Sequence, residues 1–526
     1  MILQKQKRNH IRRAVIACIL LQGANMLLFL TQWLSTRYDR VSLEQVLYQM
    51  QTSISGTSKK LTSSASIRVG VFGTLLTVLE VLAYLLLSGK AEKLLSRFRI
   101  YTDYCHGKVC KFFTKRMLPL SMAILLTSLM VFGVRMEIFA YVENTVTPSD
   151  FIEQHYVDPD DVQLTFPTQK RNLIYIFLES MENTFTDVTS CDTVEDNYIP
   201  ELTRLAQENI SFSHGEGMGG AQSLEGTTWT AAAMVAQTSG VTVKVPLGGN
   251  DYGEEEYYMP GITALGDILE AEGYRNVLLL GSKGKFANRD AYFADHGNYE
   301  MVDLIALRQS GRIESNYYEW WGYEDEKLFA YAQEELTRLG QSDEPFNFTM
   351  LTADTHFPDG YVCRLCENNY EEQYGNVMRC SDTQLKNFLD WLQQQPFYEN
   401  TTVILSGDHL TMDPEFLADI DDSYVRTSYN CILNTPVVPA NEQNRQFGTI
   451  DMFPTTLAAM GVEIEGDRLG LGTNLFSQRQ TLSEEFGHIQ LDKELQKNSK
   501  FYFETFFALD EVPTTAATEE TATTED

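Results

Sequence analysis

Three stretches of the chain are apolar almost without interruption: 14–34 (AVIACILLQGANMLLFLTQWL), 69–89 (VGVFGTLLTVLEVLAYLLLSG) and 117–134 (MLPLSMAILLTSLMVFGV). Each reaches the length, about 20 residues, that lets a helix cross the hydrocarbon core of a bilayer. The one charge among them is Glu80, an acid costly in lipid and expected to face another helix. The first stretch is too long for a signal-peptide core and no small-x-small cleavage site follows it, so it reads as a retained helix. Residues 1–142 are thus expected to form a membrane domain.

Beyond residue 166 the pattern changes to short apolar runs separated by amphipathic ones. NLIYIFLES (172–180), NVLLLGS (276–282), FNFTMLTAD (346–354), TTVILSGDH (401–409) and NCILNTP (430–436) read as buried strands. GITALGDILEAEG, KLFAYAQEELTRLG, DTQLKNFLDWLQQQ and IDMFPTTLAAMG carry helical periodicity. Strands apolar on both faces, alternating with helices, predict an α/β fold with a mainly parallel central sheet sandwiched by helices. We expect this domain over 166–510, a linker at 143–165, and a disordered acidic tail at 511–526.

Charge sharpens the division. The whole chain carries a formal net charge of −31, but residues 1–142 sum to about +13 and the remainder to about −44. Such a split places the two parts in different surroundings and argues against a nucleic-acid partner. Basic residues crowd the N-terminus (QKQKRNHIRR) and the 90–116 loop. Both are therefore expected on the cytoplasmic side, with the domain after 143 extracytoplasmic. The 35–68 loop, with five basic residues of its own, pulls against that assignment.

Of eight cysteines, Cys363 and Cys366 form a C-x-x-C with no second pair at zinc-site spacing. A disulfide among Cys363, Cys366 and Cys380 is the expectation there, and a metal site is not.

In a parallel sheet, ligands bind beyond the carboxyl ends of the strands. Glu179 ends the first strand, Asp354 the third with His356 two residues on, and Asp408-His409 the fourth. Topology would gather Glu179, His356, Asp408 and His409 on one edge. Two carboxylates and an imidazole suit a divalent ion of Mg, Mn or Zn type, and an alkoxide would complete a compact tetrahedral site. LEGTTWTAAAMVAQTSG (224–240) offers Thr227, Thr228 and Thr230 at the start of a helix of small residues. Ordinary N-capping employs one threonine, not three. A helix N-terminus favours an anion such as phosphate, and a metal-bound hydroxyl becomes a nucleophile.

Taken in order behind membrane helices, IFLESMENTF, GTTWTAAAMVAQTSGV, FANRD, TADTHFPDGY, SGDHLTM and DMFPTTLAAMG resemble the phosphoglycerol transferase and lipoteichoic-acid synthase group of the alkaline phosphatase/sulfatase superfamily. The resemblance covers about residues 170–476. It implies Glu179, Thr227, Asp408 and His409 as the metal set, with Mn²⁺ ahead of Mg²⁺ or Zn²⁺. Thr227 is chosen as nucleophile for its spacing to Gly240. The resemblance also implies Arg289 and His356 at the substrate's phosphate and glycerol. The synthases carry a Trp where this chain has Ala287, and a His where it reads LLLGSKGK, so Lys283 and Lys285 are candidates for the head group. GTTWTA lacks the C/S-x-P-x-R setting of sulfatases, so sulfate esters are not expected.

The expected function is transfer of glycerol phosphate from phosphatidylglycerol to an envelope glycan or polyglycerol-phosphate acceptor, with His356 as general acid. Alternatives are a phosphoethanolamine transferase, a phosphodiesterase-like hydrolase, and a non-enzymatic glycan-binding ectodomain.

Overall fold

The computed structural model describes residues 2–39, 41–52, 59–87, 108–186, 194, 196–245, 257–421 and 423–508. The expected acidic tail at 511–526 lies outside the described residues, as does most of the basic 90–116 loop.

Among the described residues, three helices are long and apolar enough to span a membrane: Arg12–Arg37, Leu61–Leu85 and Arg116–Arg135. They mark a membrane protein. Val15, Ile19, Leu79, Leu82, Leu126 and Met130 are exposed on them, as side chains that face lipid should be. Polar groups turn inward instead: the Asn25 amide donates to Glu80 Oε2 (2.7 Å) and to Thr77 Oγ1 (3.0 Å). Glu80 therefore meets a partner on the first helix, as its cost in lipid demands.

The domain that follows the membrane helices is built on a six-stranded sheet. In chain order the strands are β1 (Asn172–Leu178), β2 (Arg275–Leu280), β3 (Glu300–Val302), β4 (Phe346–Leu351), β5 (Thr401–Gly407) and β6 (Asn430–Leu433). Their spatial order is β3-β2-β4-β1-β5-β6. All neighbours are parallel except β5 and β6. The sheet is buried on both faces because alternate residues feed different cores: Leu173, Tyr175 and Phe177 join one cluster, while Ile174, Ile176 and Leu178 join the other. The order explains the convergence of site residues. β1 lies between β4 and β5, so the segments leaving these three strands emerge side by side.

One region departs from the sequence expectations, and a second was not anticipated by them. The 143–165 stretch, read as a linker, is folded against the domain: Phe151 and Ile152 are buried, and Leu164–Thr165 pairs with Glu463–Ile464. The loop after the first membrane helix is also built in. Its helix Leu43–Gln51 buries Tyr48, whose hydroxyl meets Tyr258 Oη (2.9 Å) and the Ala287 carbonyl (2.8 Å). Glu44 and Lys244, both buried, belong to an ionic cluster with Glu225 and Asp492.

Candidate metal and phosphoryl-transfer site

Glu179 is the first residue beyond β1, and the chain turns at once through Ser180, whose φ of 55° is left-handed. The Ser180 hydroxyl donates to Glu179 Oε1 (2.7 Å), and its N–H donates to Asp408 Oδ1 (2.8 Å). Asp408 and His409 follow β5 directly. Gly407 just before them has no room for a side chain: a Cβ would lie 2.0 Å from the Met181 carbonyl oxygen. Close approach of the β1 and β5 termini thus requires glycine at 407.

Ligand atoms of Glu179, Asp408 and His409 lie within 4.8 Å of one another, and all three residues are buried. His409 Nδ1 faces the Leu410 carbonyl at 2.8 Å. A carbonyl only accepts, so Nδ1 carries the proton and Nε2 points to the carboxylates. Nε2 is 3.6 Å from Glu179 Oε1 and 3.4 Å from Asp408 Oδ2. Asp408 Oδ2 is buried without a hydrogen-bond partner. Burial, then Glu179, push the Asp408 pKa up to about 7. Burial lowers that of His409, but Asp408 and Glu179 outweigh it and raise it. Both shifts express one need, a positive charge among these groups. A divalent cation meets it, so the residues fit the expected metal.

The threonine nearest this group is not the one expected from the sequence. Thr227 is buried, and its hydroxyl donates to the Leu224 carbonyl (2.7 Å) while accepting from the Leu224 N–H (3.3 Å). It closes the turn through Gly226, whose φ is 78°. The helix proper is Thr230–Ser239, and its N-cap, Trp229, provides no side-chain cap. Thr230 is half-buried. Its Oγ1 lies 3.3 Å from both Glu179 Oε2 and His409 Nε2. Thr230, not Thr227, is brought to the carboxylate–imidazole group. The helix is fixed on the sheet by Gln237, which donates to the Gly407 carbonyl (3.1 Å) and accepts from Tyr175 Oη (2.7 Å).

Arg289 is buried at the start of helix Arg289–Asp295. It donates to Ser282 Oγ (2.8 Å) and to the carbonyls of Lys283 (3.1 Å) and Phe286 (3.1 Å). Burial lowers its pKa to about 10, and Glu179 opposes the shift, so it stays cationic at neutral pH. Lys285 is exposed and Lys283 half-buried on the same loop.

His356 stacks on Phe357 (4.9 Å) and packs at a tilt against Trp321 (4.5 Å). Its Nδ1 donates to the Phe357 carbonyl (2.6 Å). Burial lowers its pKa to about 4. It is therefore neutral near pH 7, with Nε2 as an acceptor, which suits proton uptake better than the expected general-acid role. Asp354, at the end of the same strand, is buried with neither carboxylate oxygen hydrogen-bonded.

The sequence did not single out the wall contributed by the loop after the first membrane helix. Tyr38 packs edge-on against Phe357 (4.9 Å). Asp39 accepts from Arg426 Nη1 (3.1 Å), and that guanidinium also makes a paired contact with buried Glu182 (2.9 and 2.8 Å). Tyr48 lies against Trp229 (5.5 Å), the residue before Thr230.

The Sulfatase family model matches residues 171–462. Phosphoglycerol transferase I of Escherichia coli O6:K15:H31 (strain 536 / UPEC) is 31% identical over 265 residues, covering 49% of this chain and 33% of that protein. The Salmonella choleraesuis (strain SC-B67) protein of the same name is 30% identical over 336 residues, covering 62% and 41%. The chain thus spans less than half the length of these relatives. Among solved structures, it is similar to the lipoteichoic acid synthase LtaP from Listeria monocytogenes (TM-score 0.47, 18% identity, 62% of this chain and 80% of that one). It is also similar to the lipooligosaccharide phosphoethanolamine transferase EptA from Neisseria meningitidis (TM-score 0.48, 13% identity, 86% and 84%). The α/β domain with its mainly parallel sheet is the fold class expected from the sequence. Since the family match spans more than half of the chain, the protein belongs to the Sulfatase family.

Proposed function

We propose that the chain is a membrane-anchored, extracytoplasmic phosphotransferase. It moves glycerol phosphate from phosphatidylglycerol to a hydroxyl of an envelope glycan or polyglycerol-phosphate chain, through a covalent intermediate on Thr230. The observation that carries this reading is the Thr230 hydroxyl. It stands at a helix N-terminus, 3.3 Å from both Glu179 and His409, and is only half-buried. A helix N-terminus favours the phosphate, and buried Arg289 adds fixed positive charge beside it.

A divalent cation, Mn²⁺ in the first instance, would be held by Glu179, Asp408 and His409 and would supply Lewis-acid stabilisation of an alkoxide and of phosphoryl oxygens. Thr230 Oγ1 forms the new bond to phosphorus, and the bond to the diacylglycerol oxygen breaks. One proton passes, in net terms, from Thr230 to diacylglycerol. In the second half the acceptor hydroxyl attacks phosphorus, the Thr230 Oγ1–phosphorus bond breaks, and the proton that His356 Nε2 takes from the acceptor passes on to Thr230 Oγ1. Lys283 and Lys285 offset the repulsion between an acidic domain and an anionic lipid. The membrane helices keep the site at the leaflet.

The reading is tested with the full chain in vesicles containing either phosphatidylglycerol or phosphatidylethanolamine, with and without a glucan acceptor. Diacylglycerol release from phosphatidylglycerol that rises with acceptor and labels it supports the proposal. Release only from phosphatidylethanolamine replaces the donor, and release indifferent to acceptor makes the protein a hydrolase.

A further inference from the structure

We infer that Cys363, Cys366 and Cys380 form a second metal site, a tri-thiolate centre for a thiophilic dication of the zinc class. The three Sγ atoms lie within 4.8 Å of one another. Cys363 is central, 3.7 Å from Cys366 Sγ and 3.7 Å from Cys380 Sγ. Sulfurs bound at about 2.3 Å around a tetrahedral ion stand about 3.8 Å apart. A disulfide would need about 2.05 Å, would use two of the three sulfurs and would strand the third. All three are free thiols in the structure, contrary to the disulfide expected from sequence. A metal was set aside at the sequence level because no second C-x-x-C follows. The third sulfur comes singly, from helix Gln373–Leu392.

The surroundings suit thiolates. The Leu365 N–H points at Cys363 Sγ (3.4 Å). The Gln384 side-chain amide reaches both Cys380 Sγ (3.4 Å) and Cys363 Sγ (3.7 Å). N–H donors aimed at sulfur stabilise the anionic form that binds metal. Cys363 and Cys380 are buried and Cys366 is half-buried, which leaves the open coordination position to a water on the Cys366 side. Binding forms three metal–sulfur bonds and releases the thiol protons to solvent.

The location gives the centre a purpose. Cys363 and Cys366 end the segment that begins at Asp354 and carries His356. Cys380 sits on the helix whose Tyr374 hydroxyl bonds the Thr355 carbonyl (2.6 Å) and Thr411 Oγ1 (2.8 Å). Thr355 in turn donates to the Glu179 carbonyl (2.6 Å). Clamping the segment to that helix holds the His356 side of the site against the Glu179 side.

The test is cobalt substitution of the full chain purified in detergent. Thiolate-to-cobalt charge transfer gives near-ultraviolet absorption that an oxygen–nitrogen site cannot produce. The proposal expects that absorption at one cobalt per chain, retained in Asp408→Asn and lost in each of Cys363→Ser, Cys366→Ser and Cys380→Ser. Should a serine variant fail to fold, alkylation of the wild-type chain decides: the three thiols should resist the reagent with zinc bound and react after chelation. Absence of the absorption in the wild-type chain overturns the proposal. So does a non-reduced peptide spanning these cysteines that is lighter by two hydrogens, the mark of a disulfide.

Discussion

Thr230 Oγ1 lies 3.3 Å from Nε2 of His409, a residue 179 positions further along the chain. The contact joins the N-terminus of a buried helix to the carboxyl end of β5, and Glu179 closes the group from β1. Thr227, three residues earlier, is instead tied to the backbone of Leu224. The two threonines should therefore respond to substitution in opposite ways. Thr227→Ala loses two turn hydrogen bonds and should cost about 1–2 kcal/mol of stability, while transfer persists. Thr230→Ala should leave the melting temperature near wild type and lower transfer by roughly 10³-fold or more. Paired thermal unfolding and diacylglycerol-release assays separate the two.

Metal dependence should be visible without any reaction. A ligand bound at 100 times its dissociation constant adds about 2.7 kcal/mol to the folded state. Titrating Mn²⁺ into the chelated chain should raise its melting temperature. Asp408→Asn should abolish most of that rise, because it removes one of two anionic ligands and leaves Glu179 and His409 alone. An equal rise in the variant would place the ion elsewhere.

The loop after the first membrane helix should matter to the site. Tyr48 is fully buried against Trp229 and bonds the backbone of Ala287. Tyr48→Ala should cost about 3–5 kcal/mol, and a chain starting at residue 143 should be less stable and less active than the full chain. Tyr48→Phe keeps the packing, loses only hydroxyl bonds, and should cost about 1–2 kcal/mol. Denaturant unfolding of the three forms orders these costs.

Protonation of His356 should be linked to stability. Its folded pKa is lowered to about 4 by burial, below the unfolded value of about 6.5. Between these values the unfolded chain binds more protons, so stability falls as pH drops from about 6.5 toward 4. The slope is at most about 1.4 kcal/mol per pH unit. His356→Gln should flatten this part of the profile. A profile unchanged by the substitution would show that the imidazole is not held neutral.

Much of this arrangement was legible in the chain. Fully apolar strands marked β1, β2, β4 and β5, and parallel topology then placed Glu179, His356, Asp408 and His409 at one edge. β3 is three residues long and left no pattern to read. Which threonine reaches Glu179 and His409 was hidden because three of them cluster at the start of one helix and Trp229 is an unusual N-cap. The available signal was the uninterrupted small-residue run beginning at Thr230. The contributions of Tyr38 and Tyr48 were invisible because long-range packing, not periodicity, buries them. The sequence grouped Cys380 with Cys363 and Cys366, but the mutual spacing of the three sulfurs was not legible because it depends on the placement of helix Gln373–Leu392.

The central claim is that Thr230 becomes covalently modified by a glycerophosphate group. The direct measurement is intact-protein mass, followed by peptide mapping, of the full chain trapped with Mn²⁺ and phosphatidylglycerol in the absence of acceptor. The account predicts a glycerophosphate adduct on the peptide containing Thr230, present in Thr227→Ala and absent in Thr230→Ala. An adduct that maps to Thr227, or one that survives Thr230→Ala, would contradict it.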